Sequence, residues 1–133
     1  MSLEAAILAY TKSQVTSVSN RVYAIKAPIG AANPYIVFKV VSGNFIHSMG
    51  GDSGLSETMV QFSVFGDEYG AVKGVVEDLK KAYRNYTKGD GTLMSGAHWV
   101  QSTLLENEID LYEDDTNLHH TALDVTFWHM EVD

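Results

Sequence analysis

The sequence predicts an α+β protein with a mostly antiparallel sheet and two helices packed on one face of that sheet. Alternating apolar residues indicate strands, and two stretches with apolar residues at positions i, i+3 and i+4 indicate helices. The predicted order is α-β-β-β-α-β-β-β, in which runs of strands are typical of an α+β fold. The chain has 133 residues, of which 45% are apolar. That is enough for one hydrophobic core, so we expect a single domain over residues 1–133.

The first helix is predicted near the start of the chain by apolar residues at helical spacing: Leu3, Ala6, Ile7 and Tyr10. Arg21–Lys26 alternates and predicts a short strand, and Tyr35–Val41 predicts a second strand. The stretch Ser42–Ser56 that follows is polar and rich in glycine. We expect it to form a long loop, because its length exceeds the usual connection between elements.

The third strand is predicted over Thr58–Phe65. One of its faces suits the core: Thr58, Val60, Phe62 and Val64. The opposite face carries Met59 and Phe65, which a lone domain would expose to water. The second helix is predicted from apolar residues on a single stripe: Val72, Val75, Val76, Leu79 and Tyr83. Its acidic residues come early and its basic residues late, as the helix dipole favours.

The last third of the sequence predicts three strands and an acidic connection. Two short strands are expected around Thr92–Met94 and His98–Leu105, and a final strand over Leu118–Val132. The stretch Glu106–Asn117 between them reads as a solvated acidic loop. It contains most of the acidic residues of this region: Glu106, Glu108, Asp110, Glu113, Asp114 and Asp115.

The net charge of −8 is distributed unevenly along the chain. All nine basic residues lie between Lys12 and Lys88, and ten acidic residues follow Lys88. A DNA-binding domain normally carries a basic stripe that neutralises phosphates, and this chain has none. We therefore expect no specific binding of DNA. No apolar run approaches the length of a membrane span, and the first residues lack the pattern of a signal peptide.

The motifs of catalysis and cofactor binding are missing from the sequence. The chain has no cysteine, which excludes disulfides and thiolate metal sites. Gly51–Gly54 looks like the segment around the nucleophile of trypsin-like serine proteases, but only His47 precedes Ser53 and the chain is too short for that fold. The five histidines match no metal-binding spacing, and the acidic residues do not match a calcium loop. We expect no catalytic residue, no cofactor and no metal.

Over nearly its whole length the sequence resembles the tail-completion proteins of long-tailed bacteriophages, also called tail-to-head joining or tail-terminator proteins. The resemblance rests on the order and spacing of eight segments: Leu3–Tyr10, Arg21–Tyr23, Asn33–Phe38, Ser53–Leu55, Val60–Phe65, Tyr69–Ala71, Asp110–Glu113 and Leu123–Trp128. None of these segments is a catalytic signature. The segment Lys88–Gly96 does not match the pattern of the family.

The resemblance implies a structural role in a virion. Proteins of this family form a ring, usually of six copies, that ends growth of the tail tube at its head-proximal end. The partners implied are further copies of the chain, the tail tube protein and the head–tail connector or stopper protein. DNA passes through the ring only in transit, and no membrane is involved. The implied location is the head–tail junction of the virion, and the host cytoplasm during assembly.

Three groups of residues are candidates for this role. We expect Met59, Phe65 and Trp128 to contact a neighbouring subunit or the tube. Met59 and Phe65 form an exposed apolar pair on the face opposite the core, and Trp128 is expected to be a half-exposed anchor at a protein contact. Gly50, Gly51, Asp52, Ser53 and Gly54 form the tip of an expected assembly loop. The six acidic residues between Glu106 and Asp115 are expected to face the lumen, where negative charge keeps DNA phosphates from adhering.

Two other classes of function stay open at this point. The chain also fits a small acidic α+β protein-binding module, or an adaptor of a non-viral assembly. An enzyme of a type that its motifs do not reveal is the third class. Self-association at high concentration would distinguish a ring-forming protein from a solitary module.

Overall fold

The computed structural model describes residues 3–18, 21–25, 32, 34–48, 51–86, 93–94, 98–113 and 118–130. The bounds of its elements in chain order are α1 (Leu3–Gln14), a 3-10 turn (Thr16–Val18), β1 (Val22–Ala24), β2 (Tyr35–Ser48), β3 (Gly51–Gly66), α2 (Tyr69–Tyr86), β4 (Leu93–Met94), β5 (His98–Glu113) and β6 (Leu118–Met130). The predicted order of α-β-β-β-α-β-β-β and the α+β fold class are confirmed.

The six strands form one sheet in the order β1-β2-β3-β6-β5-β4. Short β1 runs parallel to β2, and every other neighbouring pair in the sheet is antiparallel. The centre of the sheet is therefore the pair β3 and β6, which are far apart in sequence. Two long hairpins, β2–β3 and β5–β6, meet along this central pair.

Both helices lie on one face of the sheet and share its core. The buried residues of β3 are those on the predicted core face, and they pack in one cluster with the apolar stripe of α2. Helix α1 adds Ala6 and Ile7 to the same cluster. The strand β6 contributes Leu123, Val125 and Phe127, which alternate with residues of the helix-free face. The prediction of two helices on one face is thus confirmed.

The expectation of a long loop over Ser42–Ser56 is wrong. The chain continues β2 to Ser48 and begins β3 at Gly51, and the two strands pair from Ser42↔Met59 to Ser48↔Gly51. A hairpin satisfies its own backbone N–H and C=O groups, so it needs no alternating apolar pattern to form. Of the predicted loop tip, Gly51, Asp52, Ser53 and Gly54 belong to β3, and Gly50 lies outside the described residues.

The expectation of an acidic loop over Glu106–Asn117 is also wrong for most of its length. Strand β5 runs through to Glu113, which pairs with Leu118 of β6. Acidic residues are poor strand formers, but strand propensity is outweighed when a neighbouring strand and a helix supply partners. Residues 114–117, the rest of the predicted loop, lie outside the described residues.

Both hairpins carry a bulge in the same row of the sheet. On β2, Val41 is the extra residue between Val40, which pairs with Val60, and Ser42. On β5, Glu106 is the extra residue between Leu105 and Asn107. Val60 of β3 pairs with Val125 of β6, and Val125 pairs with Leu105, so the two bulges are aligned across the four strands. Bulges increase the local twist and bend of a strand, and we therefore expect the sheet to bend along this row.

Gly66 ends β3 where the chain turns into α2. A Cβ atom at this position would lie 2.8 Å from Cγ2 of Val72 and 3.6 Å from Cβ of Pro34. Val72 is fully buried and cannot move away without disturbing the core. The close approach of β3 and the first turn of α2 thus requires a residue without a side chain.

We predict that Gly66→Ala lowers the free energy of unfolding by about 1–3 kcal/mol, because the added methyl group overpacks the core. Gly74→Ala is the matched control, because a Cβ there meets no atom within 4 Å and alanine stabilises a helix interior by about 1 kcal/mol relative to glycine. Urea unfolding of both variants checks this. If both variants changed the free energy of unfolding by the same amount and in the same direction, the contact between position 66 and Val72 would not be tight.

Candidate assembly surface

The helix-free face of the sheet carries the three predicted contact residues. Met59 and Phe65 lie on β3, on the face opposite Val60, and Trp128 lies on β6 beside Glu57. All three side chains are half-buried, so Met59 and Phe65 are exposed to water only in part in the single subunit. Their role in contacts between subunits stays a prediction.

Phe65 belongs to a row of rings that crosses four strands. Its ring stacks on Tyr35 of β2 at 5.2 Å and on His120 of β6 at 4.3 Å, measured between ring centroids. Tyr23 of β1 extends the row, with its ring 6.2 Å from that of Tyr35. Such pairs stabilise a sheet by roughly 0.5–1.5 kcal/mol beyond the area they bury. Phe65 therefore already has packing partners within the subunit.

Two of the predicted lumen-facing acids lie under α2. Glu108 accepts hydrogen bonds from Nζ of Lys73 and from Nζ of Lys80, the latter at 2.8 Å. Asp110 accepts from Lys73 at 3.1 Å and from the hydroxyl of Thr121 at 2.9 Å. This cluster of two lysines and two carboxylates joins α2 to β5. The charges of Glu108 and Asp110 are thus balanced within the subunit, which sequence reasoning did not reveal.

The cluster shifts the pKa of each of its members. The hydrogen bonds from Lys73 and Lys80 hold the pKa of Glu108 below its ordinary value. The hydrogen bond from Lys73, followed by that from Thr121, lowers the pKa of Asp110. Conversely, the hydrogen bonds to Glu108 raise the pKa of both lysines. All four groups therefore stay charged throughout the neutral range.

The remaining predicted acids are placed differently. Glu106 is exposed at the β5 bulge and accepts a hydrogen bond from the hydroxyl of Thr126 at 3.0 Å, on the helix-free side of the sheet. Glu113 ends β5, and Asp114 and Asp115 lie outside the described residues. Glu106 therefore lies on the opposite side of the sheet from Glu108 and Asp110. The prediction that some of them face a lumen is not tested by this arrangement.

The edges of the sheet carry exposed apolar side chains that the sequence did not single out. At the β2 edge these are Ile25, Val40 and Val41, and at the β5 edge they are Leu104, Ile109, Leu111 and Tyr112. Strand alternation alone did not find them, because the position of a strand within a sheet depends on pairing that the sequence pattern does not contain. Ile109, Leu111 and Tyr112 belong to the stretch interpreted as an acidic loop, whereas the other four belong to predicted strands.

The described residues contain no group of three or more histidine, aspartate or glutamate side chains placed to hold a metal ion. Over the same residues, no helix combines the length and the hydropathy needed to span a bilayer.

No family model matches this chain, and no curated protein matches it in sequence. Solved structures do match in fold. One is a chain of the structure described as "Virion of native gene transfer agent (GTA) particle", with a TM-score of 0.71 and 12% sequence identity. The match covers 97% of this chain and 95% of that chain. At this identity the likeness establishes a shared fold over nearly the full length of both chains.

We predict that Glu108→Gln lowers the free energy of unfolding at pH 7 by about 1 kcal/mol, because it removes one carboxylate from two ion pairs near the surface. The pKa of Glu108 in the folded state lies below its ordinary value of 4.5, so the contribution is complete above pH 4.5 and is lost as the pH falls through the folded-state pKa. Urea unfolding of the wild type and the variant at several pH values from about 3 to about 7 checks this.

Glu77→Gln is the matched control for that experiment, because Glu77 is more exposed and pairs with Lys80 alone, at 3.0 Å. We expect a smaller loss from this variant. If the free energy of unfolding differed as much between wild type and Glu108→Gln at the lowest pH as at pH 7, the loss would not be due to the charge of Glu108.

Proposed function

We propose that the chain is a structural virion protein that forms a ring, expected to contain six copies, at the head-proximal end of a tail tube. The observation that carries this proposal is the shared fold with a chain of a virion, which extends over 97% of the chain. The resemblance of its sequence segments to phage tail terminators supports the same role. The ring would end tube growth and dock to the head connector or stopper.

The shape of the sheet supports an assembly role. The pairing of β3 with β6 reaches Leu55, whereas the pairing of β3 with β2 continues to Gly51. The register shifts between Ile46 and His47, so only two residues of β2 cover this stretch, and the hairpin extends about 7 Å beyond the last described pair of β3 with β6, at about 3.3 Å per residue. A projecting hairpin of this kind suits contact with a neighbouring subunit or with the tube.

The charge of the chain supports transit of DNA rather than binding to it. Six copies at −8 would together carry −48. Negative charge on a channel wall repels phosphates and prevents DNA from adhering. Since Glu108 and Asp110 are already paired with lysines, Glu106, Asp114 and Asp115 are better candidates for charges that face a lumen.

Electron microscopy of the purified protein mixed with tail tubes tests the proposed function. We expect one ring at a single end of each tube, and tubes of uniform length when the protein is present during polymerisation. A chain that neither binds tubes nor self-associates would instead indicate the protein-binding module or adaptor of a non-viral assembly.

We predict that replacing Glu106, Asp114 and Asp115 with lysine slows or traps passage of DNA, because a basic lumen attracts phosphates. The control variant replaces Glu4, Asp67 and Glu68 with lysine. These three acids are exposed and lie near the helices, and the net charge changes by the same amount. Genome-ejection rates of virions that carry each variant are the measurement. Equal rates for the two variants, both correctly assembled, would contradict a lumenal position for the first set.

A further inference from the structure

Three aromatic side chains form a surface where β5 ends and where β6 and α2 begin. This aromatic surface consists of Tyr69 of α2, Tyr112 of β5 and His119 of β6. The ring centroid of His119 lies 5.6 Å from that of Tyr69 and 5.0 Å from that of Tyr112. Tyr69 is 49% exposed and Tyr112 is 51% exposed. Adjoining tyrosines that are open to solvent are typical of the residues that dominate protein contacts.

The rings of the aromatic surface are held by the elements that carry them. Tyr112 and His119 are direct partners in the antiparallel pairing of β5 with β6. The hydroxyl of Tyr69 donates a hydrogen bond to Asp110 of β5 at 3.1 Å, which ties the start of α2 to the same strand. Side chains fixed in this way lose little conformational entropy when a partner binds, and binding is stronger for that reason.

The surroundings of the aromatic surface are acidic. Residues 66–72 and 109–122, which carry the three rings, contain six acidic residues and no lysine or arginine. Lys73 and Lys80 are bonded to Glu108 and Asp110, so their charges are balanced there. Asp67 and Glu68, which directly precede Tyr69, are both exposed. The charge at this end of the sheet therefore favours a cationic partner.

The chain already places one of its own cations beside this surface. Nζ of Lys73 lies 6.0 Å from the ring centroid of Tyr69 and 3.1 Å from a carboxylate oxygen of Asp110. A cation is attracted by the face of an aromatic ring, and a nearby carboxylate adds to that attraction. Among side chains, the planar guanidinium of arginine suits such a place best, because it stacks on rings and donates to carboxylates at the same time.

Nucleic acid is a poorer partner for the same surface. Bases also stack on aromatic side chains, but proteins that bind single strands in this way line the groove with basic residues. Here Asp67 and Glu68 flank the rings, and their charge repels phosphates.

We propose that the aromatic surface binds an arginine-bearing segment of a partner protein. A guanidinium of the partner stacks on Tyr112, and Asp67 and Glu68 attract its positive charge. This inference goes beyond the proposed ring, which assigns no contact to Tyr69, Tyr112 or His119.

Titration of the full chain with a tetra-arginine peptide and with a tetra-lysine peptide tests the proposal by calorimetry and by NMR. We expect tetra-arginine to bind more tightly, because lysine brings the same charge without a planar group that stacks. The largest changes in amide chemical shift are expected at Tyr69, Tyr112 and His119. Tyr112→Ala should weaken binding of tetra-arginine by about two- to fivefold, as expected for loss of an exposed cation–π contact.

Two variants serve as controls for the ring of Tyr112. Tyr112→Phe keeps the ring and should bind tetra-arginine as wild type does. Leu111→Ala removes a side chain that is also 51% exposed but lies on the opposite face of β5, and it should leave binding unchanged. Unfolding midpoints close to that of wild type would show that these variants fold.

The acidic residues have a matched pair of variants. Replacing Asp67 with Asn and Glu68 with Gln should weaken binding of both peptides. Replacing Glu4 and Glu106 with Gln removes the same charge from α1 and from the β5 bulge, and should weaken binding less.

The proposal is overturned if neither peptide binds, or if both bind equally well and Tyr112→Ala binds them as wild type does. It is also overturned if the chemical shifts change mainly outside the aromatic surface. The proposed function has a separate readout, because rings at tube ends are scored by microscopy. Rings formed by a chain that does not bind tetra-arginine would leave the proposed function standing and reject the arginine contact.

Discussion

The buried side chain of Tyr83 is the contact on which the arrangement of helices and sheet depends. Its hydroxyl lies 2.6 Å from that of Thr11 in α1, and its backbone carbonyl accepts a hydrogen bond from Thr103 of β5 at 2.6 Å. Its ring packs on Phe62 of β3 and on Phe127 of β6, at centroid distances of 5.1 and 5.4 Å. One residue of α2 thus contacts the other helix and three strands, and its polar atoms are satisfied where burial would otherwise be costly.

The position of α2 fixed by this contact has an electrostatic consequence along the helix. Lys73 and Lys80 are three and one turns before Tyr83 and reach across to β5, where they meet Glu108 and Asp110. An acidic strand next to the core would otherwise repel itself and resist burial. The apolar packing of α2 and the ion pairs beneath it therefore stabilise the same strand from one face.

Elements with a one-sided apolar pattern were predictable from the sequence, and elements defined by pairing were not. The core face of β3 and the apolar stripe of α2 were identified because burial on one side imposes a period of two or of 3.6 residues. The outer half of the β2–β3 hairpin has no such pattern, because its backbone is satisfied by its partner strand. Likewise, the charges of Glu108 and Asp110 in β5 are balanced by two lysines that lie 28 to 37 positions earlier in the sequence. The ring stack of Phe65 on Tyr35 and His120 depends on register, which a single sequence does not specify.

The order of strands in the sheet separates in space the basic and acidic parts of the sequence. The sheet places β1 and β2 at one end and β5 at the other, so the basic first part of the chain and the acidic last part lie on opposite edges. Ion pairs with α2 neutralise the acids on the helix side of β5, whereas Glu106 at the bulge is exposed. The separation of charge along the chain thus becomes a separation across the sheet, because the strand order places β2 and β5 on opposite sides of the central pair of β3 and β6.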